Sequence, residues 1–179
     1  NQDWDNMDVR NRLQRICREF GIDFIGLLDV NGRVGIRGVP PYNAGDFKTG
    51  NPAISRVLEK GEGNVCVALM SAEELANEGA DLAQRTFFEV EDTPRARKTP
   101  KTVESRGMVF IAAVPVKKGP NVVGVVYGGI LINRNNDLTD RIKQVVFKEE
   151  EEKESPLGTA TVFLDDVRIA TTVRLKNGN

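Results

Sequence analysis

Apolar and polar residues follow two different periods in the first part of the chain. From Asp8 to Phe20, apolar residues recur every three or four positions with four arginines between them, which predicts an amphipathic helix ended by Gly21. The apolar run Asp23 to Val30 is followed by Asn31-Gly32, a pair suited to a tight turn, and then by Arg33 to Gly38. This order predicts a helix and then a β-hairpin.

Shorter elements are predicted in the middle of the chain. Val39 to Gly50 is rich in Pro and Gly and indicates a loop, after which Asn51-Pro52 starts a short helix that ends near Gly61. Asn64 to Met70 predicts a strand. A capping box then predicts a helix from Ser71 through Ala83. One glycine inside this helix is expected to weaken it. Asp92 to Arg106 combines two prolines with several cations and indicates a solvated loop, or a segment whose cations face an anionic ligand.

Two long apolar runs, Met108 to Val116 and Val122 to Ile132, predict the main strands of a sheet. The five residues between them are too few for a helical crossover, so the pair is predicted to be antiparallel. Because both runs are almost continuously apolar, both faces of each strand are expected to be covered. Alternation places Tyr127 on one face and Gly124 and Gly128 on the other, where the backbone of the N-terminal helix could approach closely.

The C-terminal part of the chain predicts a helix, an acidic segment and another hairpin. Apolar residues from Leu138 to Val146 have helical spacing, and the acidic run after them indicates a solvated linker. Thr159 to Val173 contains two strand-like runs joined by Asp165-Asp166, which is predicted as a turn rather than as a carboxylate site. The chain is therefore expected to contain one module at residues 1–148, a linker at 149–157 and the start of a second, incomplete module at 158–179.

The composition restricts the function more than it defines it. Hydrophobic residues make up 40% and charged residues 28%, as in ordinary globular proteins, and a formal net charge of -1 without basic clusters argues against nucleic acid as a partner. No apolar run reaches the roughly 20 residues needed to cross a bilayer. Any membrane attachment is expected to lie in segments outside this chain.

The chain contains no histidine. This excludes Ser-His-Asp triads and histidine-ligated zinc or haem. No glycine loop suited to a phosphate is present either, so we predict a protein that is not an enzyme, although catalysis by carboxylates or lysine alone stays open at this point. We expect no cofactor and no metal. Cys17 and Cys66 are predicted to be small core residues, although a disulfide between them stays open at this point.

The amino-acid sequences of particular segments resemble those of a known protein family. Gly21 to Val34 is similar to the opening of a Cache-type sensor module, a PAS-like domain, and Met108 to Val116 followed by Val122 to Ile130 resembles the central strand pair of such a module. The resemblance covers roughly residues 9–146, and Gly158 to Val173 looks like the first hairpin of a second, membrane-proximal module. The amino-acid-binding signature of some Cache domains is not evident.

The resemblance implies an α+β fold, in which a PAS-like antiparallel sheet is flanked by an N-terminal helix and short helices, with the start of a second module at the C-terminus. It also implies an extracytoplasmic small-molecule sensing domain, on the periplasmic side of an inner-membrane sensor histidine kinase or chemoreceptor that acts as a homodimer. The alternative is a protein-interaction module of the same fold without a small-molecule ligand.

Four residues are candidates for ligand contact. PAS-like modules enclose their ligand on the face to which Tyr127 is expected to point, and Arg37 and Arg106, at strand ends, could each bind a carboxylate through two parallel hydrogen bonds. Phe110 is the fourth candidate. The alternative for Tyr127 and Phe110 is a place in the core, and for the arginines a place on the surface. The two cations favour an anionic ligand.

Overall fold

A computed structural model describes residues 7–90, 102–147 and 158–173 of the chain. In chain order the elements are α1 (Met7–Phe20), β1 (Phe24–Leu28), β2 (Val34–Arg37), α2 (Pro52–Lys60), β3 (Asn64–Met70), α3 (Ala72–Glu78), α4 (Leu82–Arg85), β4 (Phe88–Glu89), β5 (Val103–Glu104), β6 (Gly107–Lys118), β7 (Asn121–Leu131), α5 (Asn136–Val146), β8 (Thr161–Leu164) and β9 (Val167–Thr171).

Five strands form the central sheet in the order β2-β1-β7-β6-β3, and every neighbouring pair is antiparallel. The other four strands form two small two-stranded sheets, β4-β5 and β8-β9. The predicted α+β class with a PAS-like antiparallel sheet and flanking helices is confirmed. The predicted antiparallel pairing of the two longest strands is also confirmed, with Gly119 in the turn at a φ of 61°.

Local sequence signals account for most element ends. Gly32 has the positive φ that the first hairpin turn requires, and the Asp29 carboxylate accepts hydrogen bonds from the amides of Asn31 and Arg33. The capping box of α3 is present. The single helix predicted from Ser71 through Ala83 is wrong, because the backbone at Gly79 is extended and ends α3 before α4 begins.

Two hydrophobic cores lie on opposite faces of the sheet. The inner core, on the side of α2 and α3, includes Phe24, Leu28, Ile54, Val57, Leu75, Val109, Ile111, Val125 and Leu131. The outer core lies beneath α1, where Leu13 and Cys17 pack against Ile25 and Ile36. Cys66 packs against the inner core instead, and both cysteines are free thiols. Burial, with a smaller effect of the Asp23 charge, raises the pKa of Cys17 to about 11.

The expectation that both faces of the two long strands are covered is wrong for β6, whose outer side is exposed, whereas β7 is buried or half-buried on both faces. Helix α1 packs over β1 and β2 with Val126 at its margin, and the outer side of β6 and β3 remains exposed. The residues exposed there are Val65, Val67, Leu69, Phe110, Val114 and Val116, which we call the outer apolar face. The apolar residues of β3 and β6 therefore lie on two faces, one buried in the inner core and one exposed.

The glycines of β7 do not serve a close approach of a helix, contrary to the prediction. A Cβ atom at Gly124 would lie 2.7 Å from the Leu28 carbonyl oxygen, and one at Gly128 would lie 3.0 Å from the Phe24 carbonyl oxygen. Both carbonyls belong to β1. These glycines thus allow tight pairing of β7 with β1, and α1 reaches this face through side chains.

The C-terminal hairpin β8-β9 packs against the end of β7 and α5. Its turn at Asp165-Asp166 is confirmed, with Asp165 at a φ of 52°. Ile132, Leu164 and Ile169 form a third buried cluster, and the Arg134 amide donates to the Ile169 carbonyl at 2.7 Å. The predicted linker at 149–157 lies outside the described residues, and the division into two modules stays a prediction.

Candidate functional site

Five polar side chains converge below the inner face of the sheet. Arg37, Lys48, Glu78 and Tyr127 are almost fully buried and Asp46 is half-buried. We call these five residues the buried ionic cluster. Buried charges contribute little net stability compared with well-packed apolar side chains, so their position inside a core needs another reason.

The strands place two members of the cluster on the same side of the sheet. Arg37 ends β2 and Tyr127 lies in the middle of β7, and both are in register with Gly26 on the strand between them. A Cβ atom at Gly26 would lie 2.6 to 2.7 Å from atoms of the Tyr127 ring. The missing side chain at Gly26 therefore leaves the space that the tyrosine occupies.

Substituting this glycine should displace the tyrosine. We expect Gly26→Ala to lower the free energy of unfolding by about 1 to 3 kcal/mol, the usual cost of overpacking a core. Gly50→Ala is the matched control, because a Cβ atom at Gly50 meets nothing within 4 Å. Urea denaturation of both variants measures the difference, and equal stability would show that the ring moves at no cost.

The guanidinium of Arg37 has all five donors in use. Its Nη1 and Nη2 atoms donate to the two carboxylate oxygens of Asp46, each at 2.8 Å. Its Nε and Nη2 atoms donate to Glu78 at 3.1 and 2.9 Å, and Nη1 also donates to the Asn43 carbonyl at 2.6 Å. Arg37 therefore binds two carboxylates of the protein, each through two hydrogen bonds.

The Glu78 carboxylate is the common acceptor of the cluster. Besides Arg37, it accepts from Lys48, whose Nζ lies 2.8 Å from Oε1. The Tyr127 hydroxyl lies 3.0 Å from Oε2 and 3.2 Å from Oε1. Because a carboxylate offers about four lone-pair positions, these three side chains saturate it.

The cluster shifts the protonation equilibria of its members. Burial alone would lower the pKa of Arg37, but hydrogen bonds to Asp46 and Glu78 raise it above its usual value. Burial would raise the pKa of Asp46, but hydrogen bonding and the charge of Arg37 lower it. Burial and the Glu78 charge raise the pKa of Tyr127 well above its usual value. The Tyr127 hydroxyl therefore keeps its proton at neutral pH and can donate it to Glu78.

Acid will weaken the cluster through Asp46. Since the pKa of Asp46 is lowered on folding, its stabilising contribution is complete above the unfolded value and is lost as the pH falls through the folded one. We expect the melting temperature of Asp46→Asn to depend less on pH than that of the wild type between about pH 5 and pH 2. Asp166→Asn, on an exposed turn, controls for the loss of one charge. Parallel curves for the wild type and Asp46→Asn would contradict the assignment.

The four predicted ligand residues lie in three places. Arg37 and Tyr127 meet at Glu78. Arg106 instead donates to Glu104 on β5 at 2.8 Å and to Asp165 in the second hairpin at 2.6 Å. Phe110 is exposed on the outer apolar face, opposite to Tyr127. The four residues therefore do not form one site, and the alternative that Arg37 lies on the surface is wrong, because its side chain is fully buried.

Arg106 links three parts of the chain. Hydrogen bonds to Glu104 and Asp165 raise the pKa of its guanidinium above its usual value. The Glu104 carboxylate also accepts from the amides of Ser105 and Arg106. Since the partners of Arg106 belong to β5 and to the turn between β8 and β9, its position indicates a role in holding the second hairpin.

Sequence reasoning missed Asp46, Lys48 and Glu78. Asp46 and Lys48 lie in a segment that was recognised only as a loop rich in Pro and Gly. Glu78 had one available signal, because it is the last residue of α3 and a negative charge is unfavourable at the C-terminal end of a helix.

Other features of the described residues add little to this site. A depression of about 240 Å³, lined by Asp29, Arg33, Val34, Gly35, Ala44 and Gly45, borders the loop that supplies Asp46 and contains no member of the cluster. Residues 7–90, 102–147 and 158–173 contain no group of three or more acidic or cysteine side chains placed to hold a metal. No helix within the same ranges is long and apolar enough to span a membrane.

No protein-family model matches the chain, and a comparison with curated proteins finds no match.

Proposed function

We propose that this chain is a small-molecule sensing input domain, located in the extracytoplasmic part of a membrane-bound receptor such as a histidine kinase or a chemoreceptor. The observation that carries the proposal is the buried ionic cluster on the inner face of a PAS-like sheet. Arg37, Lys48 and Tyr127 converge there on one carboxylate, which is an arrangement suited to recognising an anionic group.

The sensing mechanism is a shift between two arrangements of the domain. A ligand that binds one arrangement more tightly increases its population by the difference in binding free energy. The cluster joins β2, β7, the loop at 39–50 and α3, so a ligand that alters its contacts changes how these elements pack. In a dimeric receptor, α1 would pass this change to the segments that precede it.

The test is a thermal-shift screen of the 179-residue chain against small carboxylates, amino acids, amines and purines. A ligand that binds only the native state raises the melting temperature as its concentration exceeds its dissociation constant. We expect a concentration-dependent rise for one chemical class, weakened by Tyr127→Phe. No rise with any class would contradict the proposal.

A protein-interaction module of the same fold is the second candidate, favoured by the outer apolar face. Half of the Val67 side chain and two thirds of the Val65 side chain are exposed there, on neighbouring positions with Phe110 across from Val67. Contiguous exposed apolar surface often marks an interaction site. Val67→Lys would then abolish binding of a partner and leave any response to small molecules unchanged. A loss of the small-molecule response would contradict this separation.

A further inference from the structure

Glu78 occupies the position in which a ligand carboxylate would be bound. We propose that Arg37, Lys48 and Tyr127 form a carboxylate-binding site, that Glu78 fills it in the absence of ligand, and that the ligand is a small carboxylate that replaces Glu78. This assignment rests on the proposed sensing function and names the ligand class and the residue that the ligand displaces.

The three side chains supply the contacts that carboxylate recognition needs. The Arg37 guanidinium makes two hydrogen bonds to Glu78, at 2.9 and 3.1 Å, in the geometry that matches a planar carboxylate. The Lys48 ammonium adds a point charge at 2.8 Å, and the Tyr127 hydroxyl adds a neutral donor at 3.0 Å. A free carboxylate placed at the Glu78 carboxyl group would receive the same contacts.

The charge of the site favours one additional negative group. The two cations of the cluster balance Asp46 and Glu78. If Glu78 leaves, Asp46 still accepts from both Nη atoms of Arg37 and lies 3.4 Å from Lys48. The site therefore remains organised and carries one net positive charge, which a single carboxylate neutralises.

The position of Glu78 at the end of α3 allows its side chain to leave the carboxylate-binding site. Glu78 ends a seven-residue helix, where the helix dipole opposes its negative charge, and the extended residue Gly79 follows. Leu75 is the other fully buried side chain of α3, and Asn77 accepts a hydrogen bond from Asn43 at 2.8 Å. Withdrawal of Glu78 therefore disturbs the last turn of α3 and the packing beneath the sheet, while the hydrogen bonds between the strands remain in place.

The Glu78 carboxylate is attached to the protein, so it competes with a free carboxylate and lowers the affinity of the site for the ligand. The apparent dissociation constant rises in inverse proportion to the fraction of molecules in which Glu78 has left the site. Glu78→Gln keeps the size of the side chain and removes its charge, so it competes less strongly. Ligand binding should therefore be tighter in this variant than in the wild type.

The experiment is calorimetric titration of the 179-residue chain with sodium acetate, with sodium chloride at equal ionic strength as the reference. We expect the dissociation constant for acetate to be at least about tenfold lower for Glu78→Gln than for the wild type, which corresponds to about 1.4 kcal/mol. Glu73→Gln, on the exposed side of the same helix, should match the wild type. Equal constants for Glu78→Gln and the wild type, or binding by neither, would overturn the proposal.

A second measurement separates displacement from a purely structural ion pair. In wild-type protein saturated with acetate, amide hydrogen exchange should become faster at residues 75–79 and stay unchanged in β7. A structural Glu78 would remain in place, so acetate binding with unchanged exchange in α3 would overturn the proposal. This measurement uses no variant and therefore does not depend on whether a substituted chain folds.

Glu78→Ala removes the tethered group completely. At about a hundredfold excess over its dissociation constant, acetate should raise the melting temperature of this variant by about 5 to 10 °C. If the wild type responds to amines or purines while acetate binds neither Glu78 variant, the displacement is wrong and the sensing function stands. If no class of compound affects the wild type and acetate binds neither Glu78 variant, both are wrong.

Discussion

Replacing Arg37 by Met is expected to lower the free energy of unfolding by about 3 to 5 kcal/mol, the cost of leaving buried charges without their partner. Arg37 supplies two hydrogen bonds to each of Asp46 and Glu78, and its side chain is fully buried. Lys48 alone cannot replace these four contacts. Guanidinium chloride denaturation, followed by circular dichroism, measures the loss.

Arg33→Met is the matched control for this substitution. Arg33 is exposed, and the Nε atom of its side chain donates to the Gly45 carbonyl at 3.3 Å. We expect it to change the stability by less than about 0.5 kcal/mol, as most surface substitutions do. If Arg37→Met were as mild as Arg33→Met, the two carboxylates would have to find other partners, and the cluster would not be held by the guanidinium.

Ile169→Ala is expected to lower the free energy of unfolding by about 2 to 5 kcal/mol, the range for truncating a buried Ile. Ile169 is 1% exposed and packs in one cluster with Ile132, at the end of the central sheet. The loss should therefore affect the unfolding of the whole domain. Urea denaturation followed by circular dichroism should show one transition, shifted to lower urea concentration.

Phe163→Ala provides the comparison on the same hairpin, because Phe163 is 52% exposed. It should have a much smaller effect than Ile169→Ala. If Ile169→Ala instead left the main transition unchanged and altered a separate one, the hairpin would behave as part of an independent second module, as the sequence suggested.

Local patterns predicted those parts of the fold that local interactions determine. The strand Asn64–Met70 and the first hairpin follow from β-alternation and from turn chemistry within a few residues. The side of the sheet on which Tyr127 lies was also predicted correctly, because side chains alternate along a strand with a period of two. The sequence indicated that Gly79 weakens the predicted helix, but not that α3 ends there. A glycine inside a helical pattern does not by itself show which way the backbone turns.

The site depended on contacts that no local pattern contains. Arg37 and Glu78 are 41 residues apart, and their pairing follows from how α3 packs under the sheet. A strand-end arginine is usually exposed, so its burial could not be inferred without its partners. Phe110 was misplaced for a similar reason, because the apolar pattern of β6 does not say that α1 covers only the β1 and β2 side.

The outer apolar face has a consequence for how this chain behaves as its concentration increases. β3 ends the sheet, and no strand of the described residues pairs with its free edge. Its exposed Val65, Val67 and Leu69 combine high β-propensity with the absence of charge, so a strand of another molecule could add to this edge. Intermolecular strand addition would increase with protein concentration, and dilution, or a lysine at Val67, would suppress it.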